Sequence, residues 1–214
     1  SKRLERILRY DCYIFESYMI AEQYDTCKKL LNELVKLKKT IILSMCGIGG
    51  FPVAKKQLLI DFANNSDFIF TNKSQCISLL EMKEDSKAEE IIENLHKQLL
   101  RNDNRMVVFC DKLDEVYVSQ FDFVKGVTKF YIKIDNIYKE ADPEIKPPED
   151  PTQFVDTSQI DNNKLHKKTN CCISFFGGFL AQLILKRPLE YAIYYALKIQ
   201  REITKKEFAN FENE

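Results

Sequence analysis

The chain has 214 residues, enough for one substantial domain with an ordinary core, and 45% hydrophobic with 30% charged residues excludes a disordered chain. Lys+Arg and Asp+Glu are equal at 32 each, so no global field draws it to nucleic acid or to an anionic membrane. Its 7 cysteines are odd in number and scattered, which suits free thiols in a reducing compartment, the cytoplasm, and excludes a disulfide framework.

In chain order, short apolar runs alternate with amphipathic stretches, the pattern of a sheet covered by helices. Tyr13-Ile14-Phe15 reads as a buried strand. Asp25 to Lys38 follows as a helix with Leu30, Leu31, Leu34 and Leu37 at helical spacing. Thr40 to Ser44 is the next strand, Lys55 to Phe62 a short helix, and Phe68 to Phe70 a third strand. Asn72 to Glu81 opens another helix, and Lys87 to Leu100 is one more, with Ile91, Ile92, Leu95 and Leu99 on one face. Met106 to Cys110 is a strand, and Glu115 to Gln120 with Val127 to Ile134 forms an edge hairpin.

Residues 138–163 change character. Pro143, Pro147, Pro148 and Pro151 among many acidic residues predict a loop or linker. Two helices end the chain, Phe175 to Leu185 and Leu189 to Thr204, separated by a Lys186-Arg187-Pro188 stop and proline restart. The chain opens at Ser1 directly into structured-looking sequence, without a signal peptide, and the expectation is that further sequence precedes it. The longest apolar run, Cys171 to Leu185, is too short for a membrane span.

Few motifs stand alone. Gly47-Ile48-Gly49-Gly50 lacks the full Gly-x-Gly-x-x-Gly spacing and is followed by Pro52, so a strand-to-helix turn is the better reading. His96 and His166 lie in unrelated polar segments, and Cys-x-x-Cys is missing, so no zinc site is expected. Cys171-Cys172 reads as a pair of small buried fillers rather than a redox pair. The lysine runs at 36–39, 164–168 and 205–206 read as solvated helix ends and loops.

Several runs, in their order and spacing, resemble adenosine kinases of the PfkB/ribokinase family. These are Asp11 to Phe15, Thr40 to Ser44, Asp67-Phe68-Ile69-Phe70-Thr71-Asn72, and above all Gly177-Gly178-Phe179-Leu180-Ala181-Gln182-Leu183 followed by Pro188-Leu189. The resemblance runs from about Tyr10 to Ile203. It implies a three-layer α/β/α ribokinase-like fold with a mostly parallel central sheet. The chain is then a single domain over 1–214, mainly the C-terminal part of that fold, with 138–163 as an insertion. The family's N-terminal strands and lid, which supply most sugar-binding groups, have no counterpart here.

The same resemblance marks where the chemistry departs. The family's Gly-Ala-Gly-Asp phosphate loop falls without gaps on Asn170, Cys171, Cys172 and Ile173, and with one residue deleted its aspartate falls on Ser174. Neither isoleucine nor serine replaces a carboxylate base. The family's Asn-x-x-Glu, which supports the magnesium–phosphate network, corresponds to Asn72 and Gln75, and an amide carries no charge to hold a hydrated cation. The glycine-bearing turn after Met106–Cys110 reads Asp111-Lys112-Leu113. The expectation is therefore a non-catalytic, adenosine-kinase-like binding protein with no catalytic or metal-binding residue, and with AMP or ATP as candidate ligand of a relic pocket. Its expected partner is a larger protein or RNA–protein assembly such as a ribosome, not a membrane. The rival expectation is an active ATP-dependent adenosine or sugar kinase with Asp156 or Asp161 as displaced base.

Overall fold

The computed structural model describes residues 6–45, 56–99, 105–110, 116–134, 170–189 and 191–200. The described elements are β1 (Cys12–Glu16), α1 (Ser17–Glu22), α2 (Tyr24–Lys36), β2 (Thr40–Ser44), α3 (Lys56–Asn64) and β3 (Phe68–Asn72). After them come α4 (Lys73–Leu80), α5 (Ala88–Gln98), β4 (Met106–Cys110), β5 (Val116–Asp122), β6 (Val127–Ile134) and α6 (Asn170–Ile184). A last helix, α7, runs over 191–200. They fall into two compact units, one of 1–110 with 117–131 and one of 111–116 with 132–214.

The six strands form one sheet in sequence order, and β1 to β4 run parallel. Right-handed crossovers between successive parallel neighbours place every intervening helix on the same face. Strand residues of one parity therefore meet those helices. Tyr13, Phe15, Ile41, Leu43, Ile69, Val107, Phe109 and Tyr117 share a core with Cys27, Leu31 and Leu34 of α2, Leu59 and Phe62 of α3, and Ile91, Ile92 and Leu95 of α5. Phe15 and Phe62 meet edge-on at 5.1 Å between centroids. Ile42, Phe70, Val108 and Val118, of the other parity, are buried as well. Burial on both faces is why these strands read as short continuous apolar runs instead of alternating ones. Connections of five and four residues carry the chain from β4 to β5 and from β5 to β6. Both are too short for a parallel crossover, so the sheet closes with antiparallel pairs.

One polar corner fixes the start of the central strands. The Asp67 carboxylate accepts from Ile41 N at 2.8 Å. Buried Arg105, opening β4, donates to the carbonyl oxygens of Asn64 at 2.7 Å and Ser66 at 3.2 Å. Burial lowers the Arg105 pKa to about 10, partly opposed by the Asp67 charge.

In the second unit α6 turns back into α7. Lys186 adopts φ 56°, Arg187 N donates to Gln182 O, and Ala192 N donates to Pro188 O, so the stop and proline restart occur where the sequence puts them. Gly178 lies at the crossing of these two helices. A Cβ there would stand 3.0 Å from Ala196 Cα and 3.1 Å from Ile199 Cδ1, whereas one on Gly177 would meet open space.

Candidate nucleotide site

In open parallel sheets, ligands bind outside the carboxyl ends of the strands. Asn72 ends β3 at that edge, in register with Cys110 at the end of β4. Its side chain is committed to local structure. Oδ1 accepts from Gln75 N at 3.0 Å and from Ser74 Oγ at 2.9 Å, capping α4. Asparagine is among the best residues for this purpose, because its oxygen satisfies a donor that the helix leaves open. Gln75 is itself buried, at 9% exposure. A carboxylate at that depth would carry a charge needing compensation; the amide does not. Next to it, Thr71 and Cys76 are fully buried and paired at 3.1 Å between Oγ1 and Sγ. Burial pushes the Cys76 thiol up to about 12, so it is a packed filler and not a nucleophile.

The second half of the expected site lies on α6. The sequence places Asn170 to Ser174 in a turn ahead of a helix beginning at Phe175. The structure has residues 170–173 already within a helix, which is described over Asn170–Ile184. The physical reason is propensity. A glycine inside a helix costs about 0.8–1 kcal/mol relative to alanine, and Asn-Cys-Cys-Ile carries no glycine to resist propagation. The sequence at residues 170–173 offers no carboxylate. Ser174 is half-buried, and Phe175, Phe176 and Phe179 are buried, Phe175 and Phe179 stacking at 6.2 Å.

Asn72 and Gln75 belong to the first unit, residues 170–174 to the second. The Gly47–Gly50 run, the Asp111–Leu113 turn, Asp156, Asp161 and the proline-rich stretch lie outside the described residues.

One polar cluster escaped the sequence reading. His96 Nε2 and Ser119 Oγ stand 3.0 Å apart in the interior, and the imidazole stacks on Phe121. Burial, with the Arg105 charge adding to it, lowers the His96 pKa to about 4. The signal was available: His96 stands four residues after Ile92 and three before Leu99, on the apolar stripe of its helix. Among the described residues no group of three or more His, Cys, Asp or Glu side chains is placed to hold a metal ion. None of the described helices is long and apolar enough to cross a membrane.

No protein-family model matches the chain, and no curated protein matches its sequence significantly. Solved structures do match. An Anopheles gambiae adenosine kinase, in complex with P1,P4-di(adenosine-5) tetraphosphate, superposes with TM-score 0.66 at 15% identity, over 99% of this chain and 55% of that one. A Schistosoma mansoni adenosine kinase in complex with adenosine and AMP gives 0.58 at 14%, over 90% and 50%. A PfkB protein from Polaromonas gives 0.60 at 10%, over 92% and 54%. The chain therefore has an α/β, ribokinase-like fold of the kind found in adenosine kinases and PfkB sugar kinases. It spans about half the length of these structures.

Proposed function

We propose that this is an adenosine-kinase-like protein without phosphoryl-transfer activity, which works by binding. It keeps a relic pocket for an adenine nucleotide, AMP or ATP, and docks onto a larger cytoplasmic protein or RNA–protein assembly, with the ribosome as one candidate host. The observation that carries this reading is the lack of a carboxylate at positions 173 and 174, where the resemblance puts the catalytic base. Transfer to an alcohol needs a group that takes the hydroxyl proton, and losing a positioned base forfeits about 10²–10⁴ in rate. An aliphatic Ile173 has no basic atom, and the Ser174 hydroxyl is far too weak a base at neutral pH. Gln75 adds a second expected loss, because an uncharged amide lacks the carboxylate charge that attracts a hydrated divalent cation.

Nucleotide binding, by contrast, asks for no catalytic carboxylate, since backbone N–H groups at the start of a helix suffice to hold a phosphate. The adenine compounds bound to the Anopheles and Schistosoma kinases support adenine as the base. An active kinase using Asp156 or Asp161 rests on residues outside the described set.

Two measurements test the reading. Thermal-shift titration with AMP, ATP and adenosine is expected to raise the melting temperature saturably for at least one of them, since a ligand that binds only the folded state stabilises it. No shift with any of the three removes the pocket. Size-exclusion of a native extract is expected to place the protein in a particle far larger than its own mass. Elution at that mass removes the docking assignment.

A further inference from the structure

We propose that the outward face of α7, with the Lys186-Arg187 turn that leads into it, binds single-stranded RNA. The inference rests on the docking half of the proposed function and names the chemistry onto which the protein docks. Its first ground is the distribution of charge. The chain is neutral as a whole, yet residues 162–201 hold seven Lys or Arg and a single acid, Glu190. The rest of the chain carries the matching acidic excess. Charge asymmetry of this kind marks the part of a chain that meets a polyanion.

The second ground is how the helices present that charge. The left-handed turn at Lys186 closes α6 and leaves Lys186 and Arg187 exposed side by side. Arg187, Tyr191 and Tyr195 follow at steps of four residues, so they share one helix face. The Arg187 guanidinium lies over the Tyr191 ring, 5.7 Å from its centroid. The Tyr191 and Tyr195 rings stack at 6.2 Å with 13° between their planes. Lys198, three residues further, is exposed. Ala192, Ile193, Ala196 and Leu197 are the positions that α7 buries, and both tyrosines are only half-buried.

Among the described residues no carboxylate pairs with Lys186, Arg187 or Lys198, whereas Lys28, Lys36, Lys39, Lys56 and Lys129 each have an acidic partner. Flat rings interleaved with free cations are what a single strand asks for. Its bases stack on aromatic faces whatever their identity, and its phosphates take the cations. A membrane surface asks for a broad apolar face instead. Beyond Ile184 and Leu185, the exposed residues of α7 and its leading turn are Lys186, Arg187, Pro188 and Lys198.

The test is fluorescence polarisation of a labelled oligocytidine RNA, which offers no adenine to the nucleotide pocket, across a salt series. Binding is expected, with a log–log salt slope of about −2, because three cations face the phosphates and each accounts for about 0.7 on a single strand. Arg187→Gln is expected to flatten that slope by about 0.7. Tyr191→Leu, which keeps an apolar body on the helix, is expected to weaken binding about tenfold or more. Lys29→Gln, at an exposed position of α2, is expected to change neither, and thermal unfolding checks that every variant is folded. No binding at physiological salt overturns the proposal. So does binding that ignores both replacements, or attachment to phosphatidylserine vesicles in preference to RNA. A protein that travels in a large particle yet is blind to RNA also overturns it, and leaves the docking reading in place.

Discussion

At the residue scale, His96 and the two glycines of α6 give the sharpest expectations. His96 is neutral in the folded protein, with its pKa lowered to about 4, while the unfolded chain keeps a value near 6.5. Between those values the unfolded state binds the extra proton, so stability falls as pH drops through that window. The expected loss on going from pH 7 to pH 4 is about 3 kcal/mol from this group alone. Urea denaturation across that range checks it, and His96→Gln, which can still bond Ser119, is expected to flatten the dependence. The paired glycines separate packing from propensity. Gly177→Ala meets no neighbour and is expected to stabilise by about 0.5–1 kcal/mol, because glycine is the poorer helix former. Gly178→Ala forces a methyl against the Ala196 backbone and is expected to destabilise by about 1–2 kcal/mol. The same denaturation assay reads both.

At the scale of elements, three helices end alike. Lys38, Glu81 and Lys186 each take a left-handed conformation, at φ 52°, 56° and 56°. Lys39 N reaches back to Leu34 O, Met82 N to Ile77 O, and Arg187 N to Gln182 O. A side chain in that region costs about 1–2 kcal/mol relative to the right-handed helix, so Lys38→Gly and Lys186→Gly are each expected to raise stability by about 0.5–1 kcal/mol in thermal unfolding. The elements themselves were largely legible in the sequence. Thr40-Ile-Ile-Leu-Ser and Met106-Val-Val-Phe-Cys are too short and too apolar to be anything but buried strands, and α2 and α5 show a clear 3.6-residue stripe. Ser17–Glu22 was not legible, since six residues are under two turns and leave no periodicity to detect. The helical state of 170–174 was missed for another reason: those positions were judged through a kinase motif instead of by helix propensity. Asn72 was read through that motif too, although its residue type alone marks a helix cap.

For the molecule as a whole, the proposed function sets a ribokinase-like framework against side chains that offer no catalytic charge. The parallel sheet and the helices over one face reproduce a ribokinase-like arrangement at 15% identity or less in the three structures compared, as expected where hydrophobic volume and patterning suffice to specify a fold. Stability needs the first, and catalysis needs a few charges in fixed places. Asn72 caps a helix, Gln75 is buried without charge, and residue 173 is aliphatic, and the proposal rests on these three. The most direct measurement follows AMP formation by the native protein, purified from its source and supplied with ATP, Mg²⁺ and adenosine. The prediction is no product above the rate without protein. Sustained AMP formation that disappears in an Asp156→Asn/Asp161→Asn double variant would contradict it.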